Sequence, residues 1–324
     1  MDLTKIIREI ARGRDGARDL EPVEAALLYG LILDNRIPEL ESGAIAIALR
    51  MKGESDAELT AFLSAIDARL PVMALPKGKP SPVVVPTYNG ARRHANLTPL
   101  LILALSELGV PTLAHGLEEE FGRVTSAEIL KDLGVCPAAT PDAAADQLQE
   151  KGCAFLTTKT LLPGLAAQLN LRARLGLRNC AHSLVKMLDP FLGKGVVLAS
   201  ATHPAYLDAM RTILLVRGQA ALLFRATEGE PYANPRRCPS IEFLAGNESR
   251  VLCDAEGESL KSLPVLPEEA SPESTVEWIR KVLDRQLVLP APIVRQLACC
   301  LLASGACADL QQANRAVAAR FSLV

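Results

Sequence analysis

Two stretches of this chain carry cations and no acids. Between Ala68 and Ser106 stand Arg69, Lys77, Lys79, Arg92 and Arg93. Between Lys151 and Leu188 stand Lys151, Lys159, Arg172, Arg174, Arg178 and Lys186. Cations without interleaved carboxylates suit phosphate neutralisation, which gives nucleic-acid affinity independent of sequence. Arg236 and Arg237, beside Asn234-Pro235, either extend that set or solvate a turn. Arg172, Arg174 and Arg178 recur at helical spacing, so acids on another helix are the competing partners for each. Arg12, Arg14 and Arg18 are weaker candidates, because Asp15 and Asp19 interleave with them. Tyr88, Phe224 and Tyr232 are candidate base-stacking aromatics, with core packing as the plainer role. The opposite pattern runs from Asp254 to Glu277, where seven acids accompany one lysine, Lys261. That segment is expected away from any polyanion. The whole-chain balance of 35 Lys+Arg against 37 Asp+Glu, net −2, is thus a cancellation between regions. It excludes a uniformly basic protein and leaves a polarised one open.

Other chemistries find less support. The eight cysteines include no CxxC pair, and His94, His115, His182 and His203 are scattered between them. No structural metal site is expected from that spacing. Most cysteines sit among Ala, Leu and Val, as small buried thiols do, so a reduced, cytoplasmic protein is expected. The longest apolar run, Leu97 to Leu105, falls short of the roughly 20 residues a membrane helix needs. No membrane partner is expected.

These residues need elements to position them. Residues 1 to about 70 read as helical. A helix start is marked by Asp19 and Glu21-Pro22, a second helix runs from about Leu40 to Lys52, and Ser55 caps a third through Asp56 to Arg69. Pro71, Pro76, Pro80 and Pro82 form a linker. Beyond it strands alternate with helices. Strands are predicted at Val83–Val85, Val110–Ala114, Cys153–Thr157, Val196–Ala199 and Ala220–Phe224, then a ribbon at Ile241–Leu244 and Arg250–Cys253. Helices at about Pro163–Leu175 and Asn179–Leu188 carry the second basic stretch, and three helices close the chain. The pattern predicts an α/β fold: a small N-terminal helical domain (residues 1–70, joined by helices at about 163–188) and a larger α/β domain (76–324) with a mostly parallel central sheet.

The segment Leu40 to Ser55, with Glu58-Leu59, resembles the small helical domain of the anthranilate phosphoribosyltransferase-like proteins, glycosyltransferase family 3. The later strand and helix order agrees, so the resemblance spans nearly the whole chain. It implies a homodimer formed through the helical domain, with the Arg92-Arg93 loop and the Arg172–Lys186 helices bordering one cleft. Such enzymes bind phosphoribosyl pyrophosphate with a GTGGD-type loop after the first strand. Here that stretch reads Pro86-Thr87-Tyr88-Asn89-Gly90, and Thr87 and Asn96 are kept while Pro86, Tyr88 and Asn89 replace glycines. The family's KHGNR motif reads Ala114-His115-Gly116-Leu117-Glu118. Its Mg²⁺-holding Asp-Glu pair falls on Pro231-Tyr232, with Glu228 and Glu230 nearby at a different spacing. Arg172 matches the arginine that holds the aromatic acceptor.

Altered ligand motifs on a retained scaffold imply a changed function. The segments NGARRHANLTPLL, LGLRNCAHSLVK and TEGEPYANPRRCP are similar to the YbiB branch of the family. That resemblance implies DNA and RNA binding without sequence preference. The expectation is therefore a non-enzymatic homodimer, with Arg92, Arg93, Arg172, Arg174, Arg178, Lys186, Arg236 and Arg237 on phosphate. Thr87, Asn89, Asn96, His115 and Arg172 are the residual ligand cleft. No cofactor is expected. The alternative is a phosphoribosyltransferase-type glycosyltransferase with an altered acceptor, which would need Mg²⁺. A small-anion or nucleotide sensor is a third possibility.

Overall fold

The computed structural model describes residues 1–13, 15–256 and 265–323. Arg14, and residues 257–264 of the acidic segment with Lys261, lie outside the described residues. The chain divides into two units, Met1–Pro71 with Thr158–Leu188, and Val72–Thr157 with Asp189–Val324.

In the first unit, helices Leu3–Ile10, Pro22–Leu33, Glu39–Lys52 and Asp56–Asp67 precede Pro163–Leu175. Each boundary has a local cause. Pro22 and Pro163 sit in a first turn, where a missing N–H costs nothing. Ser55 and Glu58 form a reciprocal capping box. Glu58 is fully buried, and its carboxylate also accepts from the Leu20 N–H (2.9 Å) and from Lys52 Nζ (2.7 Å). Tyr29 and Phe62 stack with ring centroids 4.6 Å apart. Helix Pro163–Leu175 lies against the end of helix Pro22–Leu33. A Cβ on Gly164 would fall 1.8 Å from the Leu33 carbonyl oxygen, so only glycine permits that approach.

The second unit is built on seven strands: β1 (Val83–Thr87), β2 (Thr112–Gly116), β3 (Cys153–Thr157), β4 (Val196–Ala201), β5 (Ala221–Arg225), β6 (Ile241–Ala245) and β7 (Glu248–Cys253). Their order is β3-β2-β1-β4-β5-β6-β7. The first five are parallel, and β6 and β7 join antiparallel. Strands β1 to β4 are buried along their whole length, as a sheet covered on both faces requires. The apolar helix Thr98–Glu107 and helices Pro272–Leu283, Ala291–Ala303 and Leu310–Phe321 complete this core. The chain winds outward from β1 in one direction through β2 and β3, and in the other through β4 and β5. The order therefore reverses at β1 and β4, and crevices at the carboxyl ends of strands beside such a reversal are the usual ligand sites of open α/β sheets.

The mostly parallel α/β architecture matches the sequence expectation. The short helix Thr158–Leu161 has no distinct signal in the sequence, and the segment read as a helix over 179–188 is a turn of α-helix, Ala181–Leu184, followed by a 3-10 turn, Val185–Met187. No helix among the described residues is long and apolar enough to cross a membrane.

Candidate functional site

The segment after β1 turns a row of backbone N–H groups toward one point, and two glutamates fill it. Glu230 is fully buried. Its Oε1 accepts from the N–H groups of Asn89 (2.8 Å) and Gly90 (2.9 Å). Its Oε2 accepts from the hydroxyls of Thr87, Thr98 (3.1 Å) and Ser126 (3.3 Å). Glu228, half-buried, accepts from the N–H groups of Arg92 (3.1 Å), Arg93 (3.0 Å) and His94 (2.9 Å). Five backbone donors from one loop thus end on two carboxylates. Converging N–H groups ahead of a helix are the geometry that holds phosphate. Here the anion comes from the chain itself.

The segment after β5 delivers these carboxylates in a tight turn. Thr227 and Glu230 exchange backbone hydrogen bonds (3.1 and 2.9 Å), and the two residues between them, Glu228 (φ +51) and Gly229 (φ +92), both have positive φ. That is a two-residue turn of the primed kind, where Asn, Asp or Gly usually leads. A Cβ at Gly229 would stand 2.2 Å from Asn89 Nδ2, whose amide donates to the Gly229 carbonyl (2.7 Å).

Four of the five residues expected to line a residual ligand cleft lie in this unit, and Arg172 lies in the first. Thr87 and Asn89 hold the Glu230 turn. Asn96 is buried and donates to the Val124 carbonyl (3.2 Å) and the Ser126 hydroxyl (3.1 Å). His115 is buried in β2, with Nδ1 2.6 Å from Tyr88 Oη, and its Nε2 has no partner among the described residues. Burial pushes the His115 imidazole down to about 3. Mg²⁺ does not fit the position where the family carries its Asp-Glu pair. Pro231 offers no side-chain ligand, the buried Tyr232 hydroxyl donates to the Ala95 carbonyl (3.0 Å), and the oxygens of Glu228 and Glu230 already face N–H and O–H donors.

Above this polar layer the side chains point outward. Arg92, Arg93, Arg236 and Arg237 are exposed, and among the described residues none of these four pairs with a carboxylate through its side chain. Arg93, His94, Asn234 and Arg236 line one pocket. Glu268 and Glu269 line it too, which corrects the expectation that the acidic segment lies away from the basic groups. Arg92 borders a second groove with Arg123, Phe121, Glu119 and Glu120. The aromatics singled out for stacking are core residues: Tyr88, Phe224 and Tyr232 are at most 4 % exposed. Phe121, which stands in no periodic pattern of the sequence, is 102 % exposed at the turn between Glu120 and Arg123.

The other candidate arginines belong to the first unit. Arg172 and Arg174 occupy the last turn of helix Pro163–Leu175, where cations complement the helix dipole, and Gly176 (φ +68) ends it. Exposed Arg174 pairs with Glu39, the competing role foreseen for it. Buried Asn179 ties the following turn back, donating to the Gln168 carbonyl (2.7 Å) and accepting from the Ala181 N–H (3.1 Å). Burial pushes His182 down to about 3, and the charges of Arg178, Arg172 and Lys186 push it the same way. Lys186 is 8 % exposed, which corrects the expectation that it contacts phosphate.

Comparison with known proteins places the fold. Residues 4–69 match the helical bundle domain of the glycosyl transferase family. The chain is 40 % identical over 311 residues to the YbiB protein of Escherichia coli K12, covering 96 % of this chain and 97 % of that one. This chain belongs to the YbiB family. The anthranilate phosphoribosyltransferase of Thermomicrobium roseum is 26 % identical over 206 residues, 64 % of this chain and 59 % of that enzyme. Among solved structures, the anthranilate phosphoribosyltransferase of Thermus thermophilus superposes with a TM-score of 0.76 at 20 % identity, over 99 % of this chain and 95 % of its own. The Saccharomyces cerevisiae enzyme in complex with PRPP and Mg gives 0.71 at 12 % identity, over 98 % and 93 %. The YbiB family chain thus has the anthranilate phosphoribosyltransferase fold.

Proposed function

We propose that this protein binds DNA and RNA through the phosphate backbone, without sequence preference, as a non-enzymatic homodimer on a phosphoribosyltransferase fold. One observation carries the reading. The backbone donors of the loop after β1 are engaged by Glu228 and Glu230, while the Arg92 and Arg93 side chains of that loop face solvent. A phosphoribosyltransferase needs those donors for its substrate. A polyanion binder needs only the outward arginines, with Arg236 and Arg237 beside them in sequence order after the Glu228–Glu230 turn. The acid-free stretch from Lys151 to Leu188, with half-buried Arg172 and Arg178, is a second region of positive charge in the sequence. Phe121 offers an exposed ring beside Arg92 on which an unpaired base can stack.

The competing transferase reading would make phosphoribosyl pyrophosphate with Mg²⁺ the ligand. Calorimetric titrations of the intact protein separate the two. Random-sequence oligonucleotides are expected to bind at low salt, and phosphoribosyl pyrophosphate with Mg²⁺ is expected to give no saturable binding. The reverse pattern would overturn the proposal. Replacing Arg92 and Arg93 together by alanine should weaken all sequences alike and lower the salt slope by about 2.

A further inference from the structure

The Glu228–Glu230 turn raises a question separate from nucleic-acid binding: why a chain would bury one carboxylate completely and strain the backbone of another. Burying a carboxylate is costly unless every lone pair is met. Glu228 also holds a positive φ, a conformation disfavoured for a side chain of its kind. Local strain of this sort persists only where surrounding contacts over-determine it. Here those contacts are the donors of the cradle. Without the two carboxylates, N–H groups at Asn89, Gly90, Arg92, Arg93 and His94, and the hydroxyls of Thr87, Thr98 and Ser126, would all aim at two neighbouring points. Two adjacent anionic centres ringed by donors are what a pyrophosphate or a phosphate ester presents.

We infer that Glu228 and Glu230 are a built-in pseudo-ligand: they occupy a latent phosphate site and close it to free phosphate and pyrophosphate. The two halves differ in role. Glu230 has no solvent access and fills the inner of the two points permanently. Glu228 is half-buried at the rim, with its carboxylate bound only to backbone donors of exposed residues. Its side chain is the stopper. Cutting it back frees three N–H groups beside the pocket that Arg93, His94 and Arg236 line.

The test is a calorimetric titration of inorganic pyrophosphate, without metal, into the wild-type chain and into Glu228→Ala. Weak binding to the surface arginines is common to both and cancels in the comparison. The variant is expected to bind pyrophosphate at least about tenfold more tightly than the wild type, and to melt at a higher temperature in its presence. Glu228→Gln keeps one acceptor oxygen in the cradle and should fall between the two. It also keeps the test decisive should the alanine variant fold poorly. Binding by a folded variant that is no tighter than wild type would overturn the inference, as would a wild type that already binds pyrophosphate as well as its variants. None of these outcomes depends on whether oligonucleotides bind, so this inference and the proposed function fail separately.

Discussion

The loop after β1 and the segment from Arg172 to Lys186 treat charge in opposite ways. In the first, each converging N–H meets a carboxylate of the same chain, and Glu230 is sealed from solvent. In the second, the charges of Arg178, Arg172 and Lys186 all push the His182 imidazole down, in a stretch with no acidic residue from Lys151 to Leu188. One region has internalised its anion; the other concentrates cations. The difference teaches where an external polyanion would find complementary charge: on outward arginines, and not on the backbone cradle that the fold offers to phosphate.

The comparison breaks first at Glu230. Glu230→Ala leaves the Asn89 and Gly90 N–H groups buried without an acceptor and is expected to destabilise the chain by about 3 kcal/mol or more. Glu230→Gln should cost much less. Its carbonyl oxygen still serves both N–H groups, and two of the Thr87, Thr98 and Ser126 hydroxyls can turn to accept from its amide. Urea denaturation of the two variants checks the ordering. Equal losses would show that the site requires charge and not acceptor geometry.

A smaller effect follows from the two imidazoles. His115 and His182 are both held down to about 3, chiefly by burial. An unfolded histidine titrates near pH 6.5. Below that value the unfolded chain takes up a proton that the folded chain refuses, so stability falls as pH drops from 6.5 toward 3. For the fully buried His115 the loss is about 2 kcal/mol at pH 5. His182 adds less, because it is partly exposed. Denaturation midpoints that stay level between pH 7 and pH 5 would contradict this.

The smallest expected effect belongs to Phe121. Phe121→Ala should weaken single-stranded oligonucleotides by about 1 kcal/mol and leave duplex binding and thermal stability unchanged. Equal weakening of both would remove the stacking role.

Much of the fold was legible because its signals are local. Ser55 with Glu58, Pro22 and Pro163 in first turns, and the apolar runs Val83–Val85 and Val196–Ala199 each announce their element without tertiary information. The cradle was not legible in the same way. Glu230 lies 141 residues from Asn89, and nothing in a Glu-Gly-Glu triplet reveals which N–H groups it will meet. The one local hint was Glu228-Gly229, a dipeptide able to form a primed turn. For three of the aromatics core packing was the plainer role in the sequence, and the structure gives them that role. Tyr88, Phe224 and Tyr232 stand beside loop residues in sequence, yet their rings fill the core, whereas Phe121 owes its exposure to a short turn that carries no periodic pattern.

The most direct test of the central claim is the salt dependence of binding. Random 30-mer single- and double-stranded DNA and RNA would be titrated with the intact protein from about 50 to 200 mM salt. The account predicts saturable binding of every sequence tested, with log affinity falling steeply and linearly against log salt concentration. Absence of binding at the lowest salt, or an affinity that does not change with salt, would contradict it.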